Sequence, residues 1–171
     1  MEDPIVIVDY DANWSHQYEQ EKSQVITALG DSIADIQHIG STSVPGLAGK
    51  PVIDMLLGLK QIPPSPTQVL SLENLGYLYL SEFGIPERHY FRRGMPRTHQ
   101  IHAVRIDSGF WQRHILFRDY LRVHPQAAQE YEALKRKLAV EFSHDRDRYT
   151  DSKTPLIEQI LMQARAWQHN L

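Results

Sequence analysis

Asp54 is the residue whose placement most invites chemistry. It lies within Pro51-Val52-Ile53-Asp54-Met55-Leu56-Leu57-Gly58-Leu59, an apolar run that reads as a buried strand because its residues do not alternate with polar ones. A carboxylate there is expensive unless a cation or a set of donors holds it. The preceding segment, His38-Ile39-Gly40-Ser41-Thr42-Ser43-Val44-Pro45-Gly46-Leu47-Ala48-Gly49-Lys50, supplies the complement. Its glycines permit positive φ and close approach of backbone to a ligand, and Ser41, Thr42 and Ser43 add hydroxyls. Such a loop turns several N–H groups toward one anion. The chemistry expected is phosphate held by Gly40, Ser41, Thr42, Ser43 and Lys50, with Asp54 holding Mg²⁺ beside it. This is not a P-loop: Val44 stands where the first glycine belongs, and Lys50 is followed by Pro51 and a strand. Two plainer readings stay open, a loop that satisfies its own backbone and an Asp54 buried against arginine or backbone amides.

Further candidates lie downstream. From Arg88 to His124 eight arginines face only Asp107 and Asp119, whereas Met1 to Asp35 carries eight acidic residues against Lys22 alone. Arginine suits bidentate phosphate contacts, although the same stretch also reads as a solvated face with internal ion pairs. Arg118 and Arg122 are one helical turn apart and project together as a possible triphosphate clamp. Arg146, Tyr149 and Lys153 recur at helical spacing, giving one face with two cations and a phenol; a surface network with Asp145, Asp147 and Asp151 is the alternative. His99 and His102, three apart on a strand, point to opposite faces and do not share a metal. His102 alone is expected at the site, contacting phosphate or relaying a proton. Asp107 is a second candidate metal ligand.

These residues need a scaffold. The chain has 171 residues, 42% hydrophobic and 23% charged, with 10 Pro and no Cys, the profile of one globular domain over 1–171 that needs no disulfide or Cys-based metal. The stretch Ile62-Pro63-Pro64-Ser65-Pro66 is too short to divide it. No apolar run approaches the ~20 residues of a membrane span, and the acidic start is unlike a secretory signal, so a soluble cytoplasmic protein is expected. Ile5 to Val8 suggests a lead-in strand, and Trp14 to Leu29 a helix ended by Gly30. Ile33 to Ile39 is a strand, Thr67 to Leu75 a helix, and Tyr77 to Leu80 and His99 to Ile106 are strands. The last third reads as helices. Phe110 to Val123 stops at His124-Pro125. A second carries the stripe Ala127, Tyr131, Leu134, Leu138 and Phe142 with Lys and Glu opposite, and a third opens on a Thr154 cap and Pro155. The fold class expected is α/β (α+β), a mixed sheet flanked by helices with a C-terminal helical layer.

The motifs also resemble a known family. Gly40-Ser41-Thr42-Ser43-Val44-Pro45-Gly46-Leu47, Lys50-Pro51 and Ile53-Asp54 look like the signature of the GrpB family, of the nucleotidyltransferase-fold superfamily. Further matches are Arg97-Thr98-His99 with His102, Trp111, Phe117 to Arg122, His124-Pro125, Tyr131, Leu134-Lys135, Asp145-Arg146, Tyr149 and Lys153. The resemblance implies a nucleotidyltransferase-like sheet with the Gly-Ser loop and Asp54 at its nucleotide end. It also implies a link to nucleotide or coenzyme chemistry, since similar domains occur fused to dephospho-coenzyme A kinase. Active members of the superfamily place two carboxylates on this strand, whereas Leu56 occupies the second place here, so Mg²⁺ is expected to arrive mainly with substrate phosphates. The implied function is nucleoside triphosphate binding with nucleotidyl transfer to an acceptor; the alternative is an inactive nucleotide or phosphorylated-ligand binding module. Nucleic acid is a weaker partner, because the pI near 6.3 lacks a basic footprint.

Overall fold

A computed structural model describes residues 3–171. Five strands, β1 (Ile33–Ile39), β2 (Ile53–Leu59), β3 (Leu78–Tyr79), β4 (His89–Arg93) and β5 (His99–Arg105), form one sheet in the order β1-β2-β5-β4-β3. β2 and β5 run parallel, and every other pair is antiparallel. In this register Asp54 lies between Ile39 and Gln100, with Arg92 beyond Gln100. Period-two alternation therefore sets Asp54, Gln100 and Arg92 side by side on one face.

The other face is closed by α1 (Asn13–Leu29) and α2 (Pro66–Asn74). α1 buries Trp14, Tyr18, Val25 and Leu29, a stripe at helical spacing, against Ile53, Met55, Leu57, Phe91 and Ile101. α2 opens with a full capping box, Ser65 and Gln68 each satisfying the other's backbone N–H. The Asp54 face is covered by α3 (Gly109–Val123), whose Trp111 packs on Ile39, Leu56 and Val104. α4 (Pro125–Glu141) and α5 (Arg146–His169) complete the C-terminal helical layer. Among the described residues no helix is long and apolar enough to cross a membrane.

Four expectations need correction. Ile5 to Val8 is not a strand: it has one isolated bridge, Val8 to Gly49, and Ile5 instead packs on Leu138, Ala139 and Tyr149 of α4 and α5. β4 was not anticipated from the sequence. α5 begins eight residues before the expected Thr154 cap, capped by Asp145, whose carboxylate accepts from Arg148 N at 3.0 Å. Pro155 thus sits in the helix interior at an exposed position, where its missing N–H is outweighed by burial of Tyr149 one and a half turns earlier. Finally, α4 does not keep its lysines outside, since Lys135 is only 2% exposed.

Candidate functional site

The loop is built around two close approaches. Gly40 follows β1 at φ 74°, and a Cβ there would lie 3.0 Å from Asp54 Oδ2, so glycine is required by backbone and by space. A Cβ on Gly49 would lie 2.5 Å from the Ser41 Cβ. Between them Ser41–Ser43 form a 3-10 turn. Thr42 and Ser43 are buried and inward-facing: Thr42 Oγ1 is 2.8 Å from His38 Nε2, and Ser43 Oγ donates to Gly40 O at 2.5 Å. Of the three hydroxyls only that of Ser41 faces the site, where it accepts from Lys135 Nζ at 2.6 Å. Lys135 also donates to Ala48 O, so one buried ammonium ties both ends of the loop.

Arg118 and Arg122 do project together, but onto the back of this loop. Arg118 donates to Gln37 Oε1 at 2.8 Å and His38 O at 3.1 Å and pairs with Asp119 at 2.8 Å. Arg122 donates to Ser43 O at 3.0 Å. Arg118 is thereby corrected from a phosphate clamp to a loop support, whereas Arg122 braces the loop through Nε and keeps its side chain 38% exposed. Asp107 is also corrected. Arg105 at the end of β5 pairs with Leu59, five residues along β2 from Asp54, which puts Asp107 roughly 17 Å or more away at ~3.3 Å per residue.

Asp54 itself is held by a histidine. His102 Nε2 lies 2.7 Å from Asp54 Oδ1, and Arg88 Nη1 lies 3.1 Å from His102 Nδ1. An arginine N–H only donates, so Nδ1 accepts and the hydrogen is on Nε2, aimed at the carboxylate. Arg88 is fixed in turn by donating to Glu82 O and Phe83 O. Burial favours a neutral Asp54, but His102, His114 and Lys50 outweigh it and hold the carboxyl below its usual range. His114, stacked on Phe110 at 4.0 Å, is itself pushed down to about 4 by burial. Asp54 keeps a quarter of its side chain exposed.

Beside this acid stands a group of cations. Lys153 Nζ lies 4.4 Å and Lys50 Nζ 5.3 Å from the centre of the Tyr149 ring, and Lys135 Nζ lies 4.8 Å from that of Tyr131. Among the described residues none of these lysines forms a salt bridge with an acid. Burial and mutual repulsion lower Lys50 and Lys135 to about 7, and Lys153 to about 8. Arg146 and Arg97 add to the repulsion at Lys50. Two buried polar atoms next to them, Tyr149 Oη and Arg97 Nε, have no hydrogen-bond partner. Orphans of this kind are uncommon in folded proteins and call for an explanation.

The structure therefore brings together Gly40, Ser41, Lys50, Asp54, His102, Arg146, Tyr149 and Lys153, and adds Arg88, Arg97 and Lys135. Lys135 had a signal in the sequence: Tyr131, Lys135 and Leu138 follow the same helical stripe. Arg97 had one in the Arg97-Thr98-His99 match, and Arg88 had none beyond its place in the arginine-rich stretch. The donor set suits anions rather than a resident divalent cation. It has one carboxylate, already bonded to His102, and Leu56 fills the second strand position as fully buried core. Among the described residues no three His, Asp or Glu side chains converge as ligands.

Fold and site together define a mixed-sheet α+β domain with a cluster of lysines beside a glycine-lined turn. The chain belongs to the GrpB family, whose signature, described as GrpB protein, matches residues 4–163. It is 34% identical to the glutamate-rich protein GrpB of Alkalihalophilus pseudofirmus, over 92% of this chain and 94% of that one. The crystal structure of the conserved protein GrpB from Enterococcus faecalis superimposes with a TM-score of 0.87 at 36% identity, covering 95% of this chain and 99% of that one. A more distant similarity, 27% identity over 96% of this chain and 47% of the other, is to a dephospho-CoA kinase of Mycolicibacterium paratuberculosis.

Proposed function

We propose that this cluster binds the phosphate groups of a nucleoside triphosphate or a related phosphorylated small molecule, and that the protein is a nucleotidyltransferase-like binding module. The observation that carries this reading is the imbalance of charge: Lys50 and Lys153 gather around Tyr149 with Asp54 as the acid they share, and Lys135, whose neighbouring acid is Glu132, bonds Ser41 beside them. An anion would offset their repulsion and accept from Tyr149 Oη and Arg97 Nε. The similarity to a protein named dephospho-CoA kinase agrees with a phosphorylated ligand. Any Mg²⁺ belongs with the ligand's phosphates, a mode that this ion tolerates because it keeps waters and few protein ligands.

Nucleotidyl transfer is the second reading, favoured by the Arg88–His102–Asp54 line, which holds an ionised carboxylate and an oriented imidazole beside the pocket. The two separate experimentally. Calorimetric titration with ATP, with and without Mg²⁺, is expected to show binding that Lys153→Gln weakens at least about tenfold. No binding of any triphosphate contradicts both readings. Labelled-nucleotide transfer or pyrophosphate release, absent in Asp54→Asn, identifies an enzyme; binding without turnover identifies the module.

A further inference from the structure

The cations do not stop at the lysines. Arg146, Tyr149 and Lys153 lie on one face of α5, so this row extends roughly 10 Å along the helix axis at 1.5 Å per residue. A second row crosses the sheet below it. Asp54, Gln100 and Arg92 are adjacent on β2, β5 and β4 and face the same side, so Arg92 stands roughly 10 Å from Asp54 at ~4.8 Å per strand. The rows converge at Arg97 and Arg146, where a cavity of about 710 Å³ opens, walled by Arg92, Arg97, Arg146, Leu78 and Phe83, with Asp3 as the acid in its lining.

The wall chemistry is specific. Among the described residues Arg92, Arg97 and Arg146 have no acid within ion-pair distance, in contrast to Arg93 at the same cavity, which Glu21 holds at 2.7 Å. Asp3 reaches this group by accepting from the Arg97 backbone N–H at 3.0 Å, and its own carbonyl accepts from Arg146 Nη2 at 3.4 Å, which leaves both guanidinium forks largely unspent. Arg97 Nε is the buried donor with no acceptor. Phe83 is 59% exposed on the rim, its ring stacked 5.4 Å from Tyr90. Forks of this kind match the oxygens of phosphate.

The geometry points to a ligand phosphorylated at two separated places, one phosphate group at Ser41, Lys50 and Lys153 and a second at Arg92, Arg97 and Arg146 in the cavity. This rests on the phosphate-binding reading above and extends it from a site for one group to the class of molecule. A single terminal phosphate leaves the arginine cavity unused, whereas a two-ended anion satisfies both clusters and links them along the α5 face.

Linear inorganic phosphates test this without assuming a scaffold. Pyrophosphate and tetraphosphate are titrated calorimetrically into the full chain and into Arg92→Gln. The expected result is that tetraphosphate binds at least about tenfold more tightly than pyrophosphate, that the substitution removes most of that gain, and that pyrophosphate affinity stays within about twofold. Unchanged pyrophosphate affinity also certifies that the variant is folded. Equal binding of the two probes, or a gain that survives the substitution, overturns the two-ended ligand while leaving the lysine site standing. No binding of pyrophosphate by the unsubstituted chain overturns the phosphate reading, and this inference with it.

Discussion

His102 takes its chemical state from two neighbours. Because Arg88 donates to Nδ1, the imidazole presents an Nε2–H to Asp54, and removing that donor leaves either nitrogen free to carry the hydrogen. In Arg88→Met the imidazole nitrogens, followed by ¹⁵N NMR, are expected to leave the single-tautomer pattern. Stability should fall by about 1–3 kcal/mol as Glu82 O and Phe83 O lose their donor. An unchanged pattern would show that Arg88 does not set the tautomer. Gly40→Ala tests the turn. Its φ of 74° and the 3.0 Å approach to Asp54 Oδ2 together should cost about 1–3 kcal/mol in urea unfolding. At this scale Asp54 was legible because a carboxylate inside an apolar strand must be accounted for. Lys135 was not, because a lysine on an amphipathic helix normally faces water, and only its register with Tyr131 and Leu138 hinted otherwise. The Arg118–Arg122 spacing was read correctly as a shared projection; what spacing could not show was that the backbone of the loop lies in its path.

Elements place these residues through register. β2 was readable as a strand because it is a run of apolar residues, and β1 and β5 because apolar and polar residues interleave between turns. β4 was hidden, since His89-Tyr90-Phe91-Arg92-Arg93 is short and two of its residues are arginines, which drew attention as charge. It nevertheless supplies Arg92 to the cavity and the partner for β5. α5 was misplaced because Thr154-Pro155 imitates a helix start; the true start depends on Asp145 and on Tyr149, fully buried against Ile5 and Leu138. Pro155 denies Asp151 O its donor in an exposed stretch of this helix. Pro155→Ala is expected to raise stability by about 1–3 kcal/mol without changing ligand affinity. A loss of stability, read from thermal unfolding, would mean that α5 is shaped around the proline.

Across the whole molecule the buried lysines link protonation to folding and to binding. Lys50 and Lys135 are lowered to about 7 and Lys153 to about 8, against about 10.4 in the unfolded chain. Below pH 7 both states carry these protons. Between about 7 and 10 the unfolded chain binds protons that the folded chain has lost, so stability should rise with pH through that window. Tyr149, raised to about 12 by burial, reverses the trend only at higher pH. Urea midpoints across the window are expected to climb, and Lys135→Met should flatten the climb by removing one of the three groups. A midpoint that falls from pH 7 to 9.5 contradicts the clustered-cation picture.

A bound phosphate raises the same lysines again, so binding near pH 8 must draw protons from the buffer. Pyrophosphate titrated at that pH in two buffers of different ionisation enthalpy reads the proton count directly. The account predicts net uptake that vanishes below about pH 6, with affinity weakening as the pH is raised; binding with no uptake at pH 8, or no binding at all, would contradict an anion site built from these clustered lysines.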